Sequence, residues 1–318
     1  MLAAVRWWIG VLRTESTHVS AIGKFWRGLL LVPLFGVLVV CLRIRLLLRG
    51  PLRVEAQLGD GSRFRCDLPD LIQMYLYLFG LWEPDLTAYL RHALKPGDTL
   101  VDVGANVGNN SITGSHCVGQ SGQVIAIEAS PDLARRLEEH VRLNNAANVR
   151  VVHAAASDHE HQLTIFQGPQ HNVGLTATSA HRGMKPSQRV RAQPLAQLIE
   201  DADWDRIRVI KIDVEGGEPA VLRGVAAVLQ RLPADAEISV ELSPEWWTES
   251  QLTPEQLITP FRERGFHLYV IPNNYWPWRY LWPNDVQAPR RYHRALPQWL
   301  KRMDLVLSRR DVEVLENS

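Results

Sequence analysis

Four carboxylates close strand-like apolar runs: Asp102 in "TLVDVGAN", Glu128 in "QVIAIEAS", Asp158 at the end of "NVRVVHAAASD", and Asp213 in "IRVIKIDVEGGE". Gly104, Asn106 and Gly108 follow the first of them and make a short loop with little side-chain bulk. A glycine loop after a buried strand often receives a pyrophosphate, which requires glycines at the first, third and sixth loop positions. Counting from Gly104, the third position is Asn106 and the sixth is Asn109, so that pattern fails twice. No Gly-Lys-Ser/Thr ending follows, which removes the nucleoside-triphosphate loop as well. Acids at successive strand ends would also repel a pyrophosphate. They suit a ligand that carries a ribose, an amino group and a sulfonium cation but no phosphate. Glu128, about 20 residues beyond the glycines, is where a carboxylate accepts hydrogen bonds from both ribose hydroxyls. S-adenosylmethionine is the cofactor that combines these groups. Each acid taken alone is more commonly a helix cap or a surface group, and their joint placement carries the reading.

The runs "LVDVGANVGNNS", "VIAIEASPDLARRLEEHVRLNNAANV", "AAASD" and "VIKIDVEGGEPAVLRGV", in that order, resemble the FkbM family of S-adenosylmethionine-dependent methyltransferases. The likeness extends from about Gly80 to Leu242 and does not reach clearly into the first fifty residues or the tail after about Trp276. It implies an α/β fold of the class I methyltransferase type, a Rossmann-like, doubly wound seven-stranded sheet whose last strand runs antiparallel. It also implies O-methylation of a hydroxyl on a sugar or natural product. By the same resemblance Asp102, Gly104 and Gly108, with Asn106 in the same loop, hold the methionine moiety. Glu128 would then hold the ribose, and Asp158 would meet the adenine.

Methyl transfer is an in-line displacement at the sulfonium carbon, so acceptor, methyl group and sulfur must be aligned and water excluded. A hydroxyl acceptor also needs a base within hydrogen-bond reach. Asp213 and Glu215, in a loop leaving a strand on the ligand edge, are the first candidates. The alternative is that they fix the cofactor's amino group, with Glu218 opening the next helix. His171 and Asn172 lie in "QGPQHNVGLTATSAHRG", a stretch with the composition of a substrate-facing loop or of a merely solvated one. His153, inside an apolar strand, is expected to be a satisfied buried histidine. No metal site is expected, because no spacing of His, Asp and Glu argues for one, although Asp213 with Asp158 or Glu241 is a conceivable set around a divalent cation.

These residues need a scaffold of strand ends, and the sequence supplies one. From Thr99 onward, continuously apolar strand-like runs alternate with helical ones, the signature of a parallel sheet covered on both faces. Ligands sit beyond the carboxyl ends of such strands. The portion containing "QLTIFQG" and "RVRAQPL" is less regular, and "GFHLYVI" and "MDLVLSRR" are expected to be the last strands. Upstream, "LRVEAQL" and "SRFRCDL" flank Gly59-Asp60-Gly61 as a hairpin. A helical lead-in follows, broken near Gly80 and Pro84, with Glu83 either reaching a site or, more commonly for such a residue, a solvated or capping carboxylate. The expected segments are 1–50 (apolar, N-terminal), 51–98 (hairpin and lead-in) and 99–318 (catalytic domain with an aromatic tail).

In the first segment, arginines flank an uncharged stretch from Leu29 to Leu42, too short to span a hydrocarbon core unless it continues past Arg43 and Arg45 to Leu48. It reads as a helix packed on the catalytic domain, as one lying at a membrane interface, with contact through 25–48, or, continued to Leu48, as a true span. The tail interleaves Trp276, Trp278, Tyr280 and Trp282 with arginines and prolines, suited to an acceptor lid, a membrane-interface belt or simple packing.

The 318 residues carry 35 Lys plus Arg against 34 Asp plus Glu, a formal charge of +1 that offers no global attraction for nucleic acid. Cys41, Cys66 and Cys117 have neither metal-ligand nor disulfide-framework spacing and read as reduced, small buried side chains. The expectation is therefore a cytoplasmic enzyme, at most peripheral at the inner face of a membrane, acting on a small-molecule acceptor such as a sugar, glycolipid or natural product. Three rivals stand beside it: a nicotinamide-dependent oxidoreductase, a membrane-associated scaffold that keeps a degenerate methyltransferase domain, and RNA methylation, which would need a basic face that the balanced charge does not advertise.

Overall fold

A computed structural model describes residues 2–13, 20–168, 176–178, 184–282 and 285–316. By internal contacts the chain forms two compact units, one from the chain up to Pro84 with Asn273–Gln287, the other from most of Asp85–Pro272 with Ala288 onward. The first unit thus takes in segment 1–50, most of 51–98, and a piece of the aromatic tail.

In that unit α1 (Leu2–Leu12) precedes α2 (Ala21–Arg49). Ser20 caps α2 by accepting the Gly23 N–H, and Gly50, at φ +74°, closes it by donating to the Leu46 carbonyl. The hairpin forms as expected from β1 (Leu52–Gln57) and β2 (Arg63–Leu68), antiparallel, with Phe64, Cys66 and Leu68 turned inward at period two. α3 (Leu71–Phe79) is capped by Asp70 and stops at Gly80, whose φ of +71° suits a residue without a Cβ. Tyr75, Phe79 and Trp82 pack around Tyr280 of the tail. Glu83 departs from the expected solvated carboxylate. It is buried, its N–H donates to the Tyr280 hydroxyl at 3.2 Å, and its Oε1 accepts from the Tyr275 hydroxyl at 3.0 Å. Cys41 also departs from expectation, since it is exposed on α2 while Cys66 is buried.

The second unit opens with α4 (Pro84–Ala93) and β3 (Thr99–Val103), then α5 (Asn109–Val118), β4 (Gln123–Glu128), α6 (Pro131–Leu143) and β5 (Val149–His153). Next come β6 (Ala155–Ser157), β7 (His161–Gln167), β8 (Thr176–Ala177), β9 (Lys185–Pro194) and α7 (Leu195–Leu198). The series ends with β10 (Ile207–Ile212), α8 (Glu218–Ala227), β11 (Glu237–Leu242), α9 (Pro254–Arg262), β12 (His267–Ile271), β13 (Arg290–Arg291) and β14 (Met303–Ser308), while α10 (Pro277–Leu281) belongs to the first unit.

The main sheet runs β5-β4-β3-β10-β11-β14-β12, with the two-residue β13 as an eighth strand on the edge. Neighbours from β5 to β11 are parallel, and β14 lies antiparallel between β11 and β12. This is the doubly wound class I methyltransferase order, with the late strand inserted in reverse. β3 and β11 are buried at every position, and residues such as Val101, Ile125, Ile210 and Val240 build the core. Each fully buried aliphatic side chain of this kind contributes about 1.5–3 kcal/mol of burial free energy. Chain order reverses between β3 and β10, so their carboxyl ends form the switch point where ligands bind in open sheets.

Two elements differ from the sequence expectation. "VRVVHAAAS" is not one strand: β5 ends at His153, and residues 155–157 leave the main sheet to pair with β9. The less regular stretch is a second sheet, β6-β9-β7-β8, in which β7 and β9 pair antiparallel. Most of β9 is exposed, so its alternation carries little hydrophobic signal. His153 is exposed at the end of an edge strand, its Nε2 3.2 Å from the Ala129 carbonyl, and is not a buried histidine.

Candidate active site

The loop after β3 is bent by three residues with positive φ: Gly104 at +76°, Asn106 at +54° and Gly108 at +92°. At Gly104 a Cβ would lie 1.9 Å from the Asp213 carbonyl oxygen, so only glycine lets the β3 and β10 loops approach this closely. At Gly108, which starts α5, a Cβ would meet Leu137 Cδ1 at 2.3 Å. Two backbone donors, Gly104 N–H and Ala105 N–H, converge on the Ile127 carbonyl at 2.9 and 3.0 Å and tie the loop to β4. His140 of α6 is buried with its Nδ1 2.7 Å from the Val107 carbonyl, which fixes the other end of the loop.

Glu128 ends β4 beneath this loop. Its Oε2 accepts the Asn106 N–H at 2.8 Å and its Oε1 the Ser130 N–H at 2.7 Å. Burial pushes its carboxyl up to about 7, against the pull of those two backbone donors. Each oxygen retains a second lone-pair direction, the provision a vicinal diol needs.

Asp102 is fully buried. Ser111 Oγ donates to its Oδ2 at 2.6 Å, and Lys211 Nζ stands 3.2 Å from its Oδ1. Lys211, on the neighbouring strand in register with Asp102, also donates to the Gly104 carbonyl at 3.2 Å and lies 3.5 Å from Asp213 Oδ2. One buried ammonium therefore compensates Asp102, shares Asp213 and braces the glycine loop. Lys211 lies within the "VIKIDVEGGE" run but was assigned no role there, although a lysine between Ile210 and Ile212 inside an apolar strand was its signal. The acids at the rim are consequently not an uncompensated ring, and Asp102 organises the loop from beneath.

Asp213 and Glu215 leave β10 in the turn ahead of Gly216 (φ +83°). With Glu241, at the end of β11, they bring carboxylate oxygens within 4.8 Å of one another. Burial comes first, reinforced by Glu241 and Asp213 and opposed by Arg302, in pushing the Glu215 carboxyl up to about 8. Arg302, just before β14, pairs with Glu241 and lies 3.9 Å from Glu215 Oε1. Three carboxylates are hard-cation ligands, but the guanidinium already supplies positive charge to two of them. Neither Arg302 nor Glu241 as its partner was readable from spacing, because β14 enters the sheet from the far end of the chain. Glu218 starts α8, is buried, and accepts the Trp247 Nε1–H at 2.9 Å. Its carboxyl is raised well above the usual range by that burial.

Asp158 stands apart. Because the chain leaves the main sheet at Ala154, Asp158 follows β6 of the second sheet and not a strand of the main sheet. Its Oδ2 accepts from Arg223 Nε at 2.8 Å and its Oδ1 lies 2.6 Å from His159 Nδ1. Burial alone would raise its carboxyl, but the Arg223 and His159 contacts bring it down to about 2. His171 and Asn172 lie outside the described residues. A separate hollow of about 670 Å³ lined by Ser115, Asn148 and Arg206 opens where β4 and β5 begin, the edge opposite the glycine loop.

The reversed late strand in a doubly wound sheet, with the glycine loop at its switch point, is the architecture of a class I methyltransferase, an enzyme that uses S-adenosylmethionine. Residues 102–268 match the methyltransferase FkbM domain, and the chain belongs to that family. It is 26% identical over 185 residues to the hexuronic acid methyltransferase AglP of Haloferax volcanii, covering 58% of this chain and 72% of that one. Among solved structures it is similar to an FkbM methyltransferase from Methylobacillus flagellatus KT, with a TM-score of 0.38 and 14% identity over 74% of this chain and 52% of the other. It is also similar to an S-adenosylmethionine-dependent O-methyltransferase from Thermotoga maritima, with a TM-score of 0.40 and 13% identity over 84% and 94%. Family membership sets aside the nicotinamide-dependent oxidoreductase.

Proposed function

We propose that the enzyme methylates a hydroxyl of a sugar-like small molecule, such as a free sugar, a glycolipid or a glycosylated natural product, in the cytoplasm. When bound, S-adenosylmethionine supplies an electrophilic methyl group on sulfur. The Gly104–Gly108 loop, with Asn106 between, seats the cofactor; Glu128 accepts its ribose hydroxyls; Asp102 and Lys211 hold the loop and Asp213 in place. Glu215 takes the acceptor proton, since a carboxyl raised to about 8 is basic enough to receive one as the hydroxyl attacks. The observation that carries this reading is the cluster of Asp213, Glu215 and Glu241 beside the glycine loop. Hydrogen-bond acceptors in such density suit a polyhydroxylated acceptor, and the hexuronic acid methyltransferase relative supports the same class.

The test is to incubate the protein with methyl-labelled S-adenosylmethionine and a soluble-plus-lipid extract of its host. Label should appear in a glycan or glycolipid and vanish with Glu128→Gln, which weakens cofactor binding roughly tenfold or more by removing a charged acceptor. Label confined to protein or RNA would refute the assignment.

A further inference from the structure

Methyl transfer leaves the outward side of α2 unexplained, and the role of that side is independent of the methyl-transfer reading. One side of this 29-residue helix is buried within its own unit through Gly28, Leu31, Leu38, Leu42 and Leu46. Phe35 meets Phe79 there with ring centroids 6.1 Å apart, and Trp282 seats on Gly28 so closely that a Cβ would lie 2.8 Å from its ring. On the opposite side Trp26, Leu30, Val37, Val40, Ile44 and Leu47 recur at helical spacing, each at least 51% exposed. From Trp26 to Leu47 that side runs for about six turns, an apolar strip far beyond the scattered exposed residues of an ordinary surface.

The charges select the occupant. Between Ser16 and Val54 no acidic residue occurs, whereas Lys24, Arg27, Arg43, Arg45, Arg49 and Arg53 bracket the apolar strip at both ends. A second copy of the chain laid on this side in either direction would bring basic ends together, which is repulsive. Anionic lipid headgroups complement both ends at once. Exposed Trp7 and Trp8 on α1 and exposed Trp276 and Trp278 beside Trp282 add aromatic side chains of the type enriched at the headgroup level.

Depth is set by length and burial. By length and composition Phe25–Arg49 would reach across a bilayer. Its uncharged part, Gly28–Leu42, however, rises only about 22 Å against a core of about 30 Å, and its inner side is already occupied. We propose that α2 lies in the plane of an anionic bilayer, with its outward side sunk into one leaflet and its arginines on the headgroups, as a monotopic anchor.

The full chain should float with mixed phosphatidylcholine–phosphatidylglycerol vesicles and bind pure phosphatidylcholine more weakly. Neutralising Arg43 and Arg49 to Gln should cost about fivefold each. Val37→Glu/Val40→Glu should cost roughly tenfold or more while leaving S-adenosylmethionine affinity, measured by calorimetry, as in the parent. Exposed Cys41 should react with an aqueous maleimide in free protein and be protected on vesicles. The proposal fails if the double glutamate variant floats like the parent, or if the parent does not float. It fails too if Cys41 stays equally reactive on vesicles, or if sedimentation shows a dimer that this variant dissociates.

Discussion

Lys211 is the residue on which the electrostatics of the site turn. It compensates a carboxylate with no exposure to water, so its removal leaves Asp102 charged and buried. Lys211→Met should therefore cost about 3–5 kcal/mol in stability by urea unfolding. Adding Asp102→Asn should restore part of that loss, because the second change removes the stranded charge. Equal stability of the single variant and the parent would show that Lys211 is not the compensating charge. Glu215 makes a different prediction. It accepts a proton only when ionised, and its carboxyl sits at about 8 in the free enzyme, so kcat/KM should rise as pH increases through about 8. In Glu215→Gln the limb should disappear and the remaining rate should be low. A profile without a limb near 8 in the parent would move the base role to Asp213.

At the scale of elements, the loop between β3 and α5 is shaped by what a side chain would strike. Gly104→Ala forces a Cβ against the Asp213 carbonyl at a φ of +76°, so the two loops must separate and the cofactor seat opens. Calorimetry should show S-adenosylmethionine affinity falling by roughly tenfold or more, as for a displaced binding group. Gly265→Ala is the matched control: its φ is +82°, yet nothing lies within 4 Å of the added carbon. It should lose about 1 kcal/mol of stability through backbone strain alone and bind the cofactor normally. The same elements show how far the sequence reaches. Gly104 and Gly108 were legible as a loop because glycine types and spacing are local. The break after His153 was not, because Ala154–Ser157 is as apolar as the strand before it, and only pairing with β9, more than thirty residues on, draws it away.

On the scale of the molecule, the cofactor seat joins β3, β4 and β10, so a ligand bound there stabilises the unit that contains them. S-adenosylhomocysteine at about a hundred times its dissociation constant should add about 2.7 kcal/mol to unfolding of that unit. This raises its thermal midpoint by several degrees, about 2–4 °C per kcal/mol for a unit of this size. A melting curve unmoved by saturating ligand would contradict a preformed site. The first unit, which holds α2 and α10, has no part in that cycle and should melt with the same midpoint in the presence and absence of ligand wherever its transition is resolved.

Strand and helix order, the glycine loop, Glu128 under it and the acids after β10 came from the chain's linear pattern, because periodicity, turn chemistry and short spacings act between near neighbours. The partnership of Lys211 with Asp102, the arrival of Arg302 on Glu241, the burial of Glu83 and the diversion of Asp158 to Arg223 were decided only by tertiary structure. Each joins residues distant in sequence or depends on which side chains are cut off from water. Desolvation and charge pairing are properties of the folded surroundings, so no reading of residue types in order can supply them.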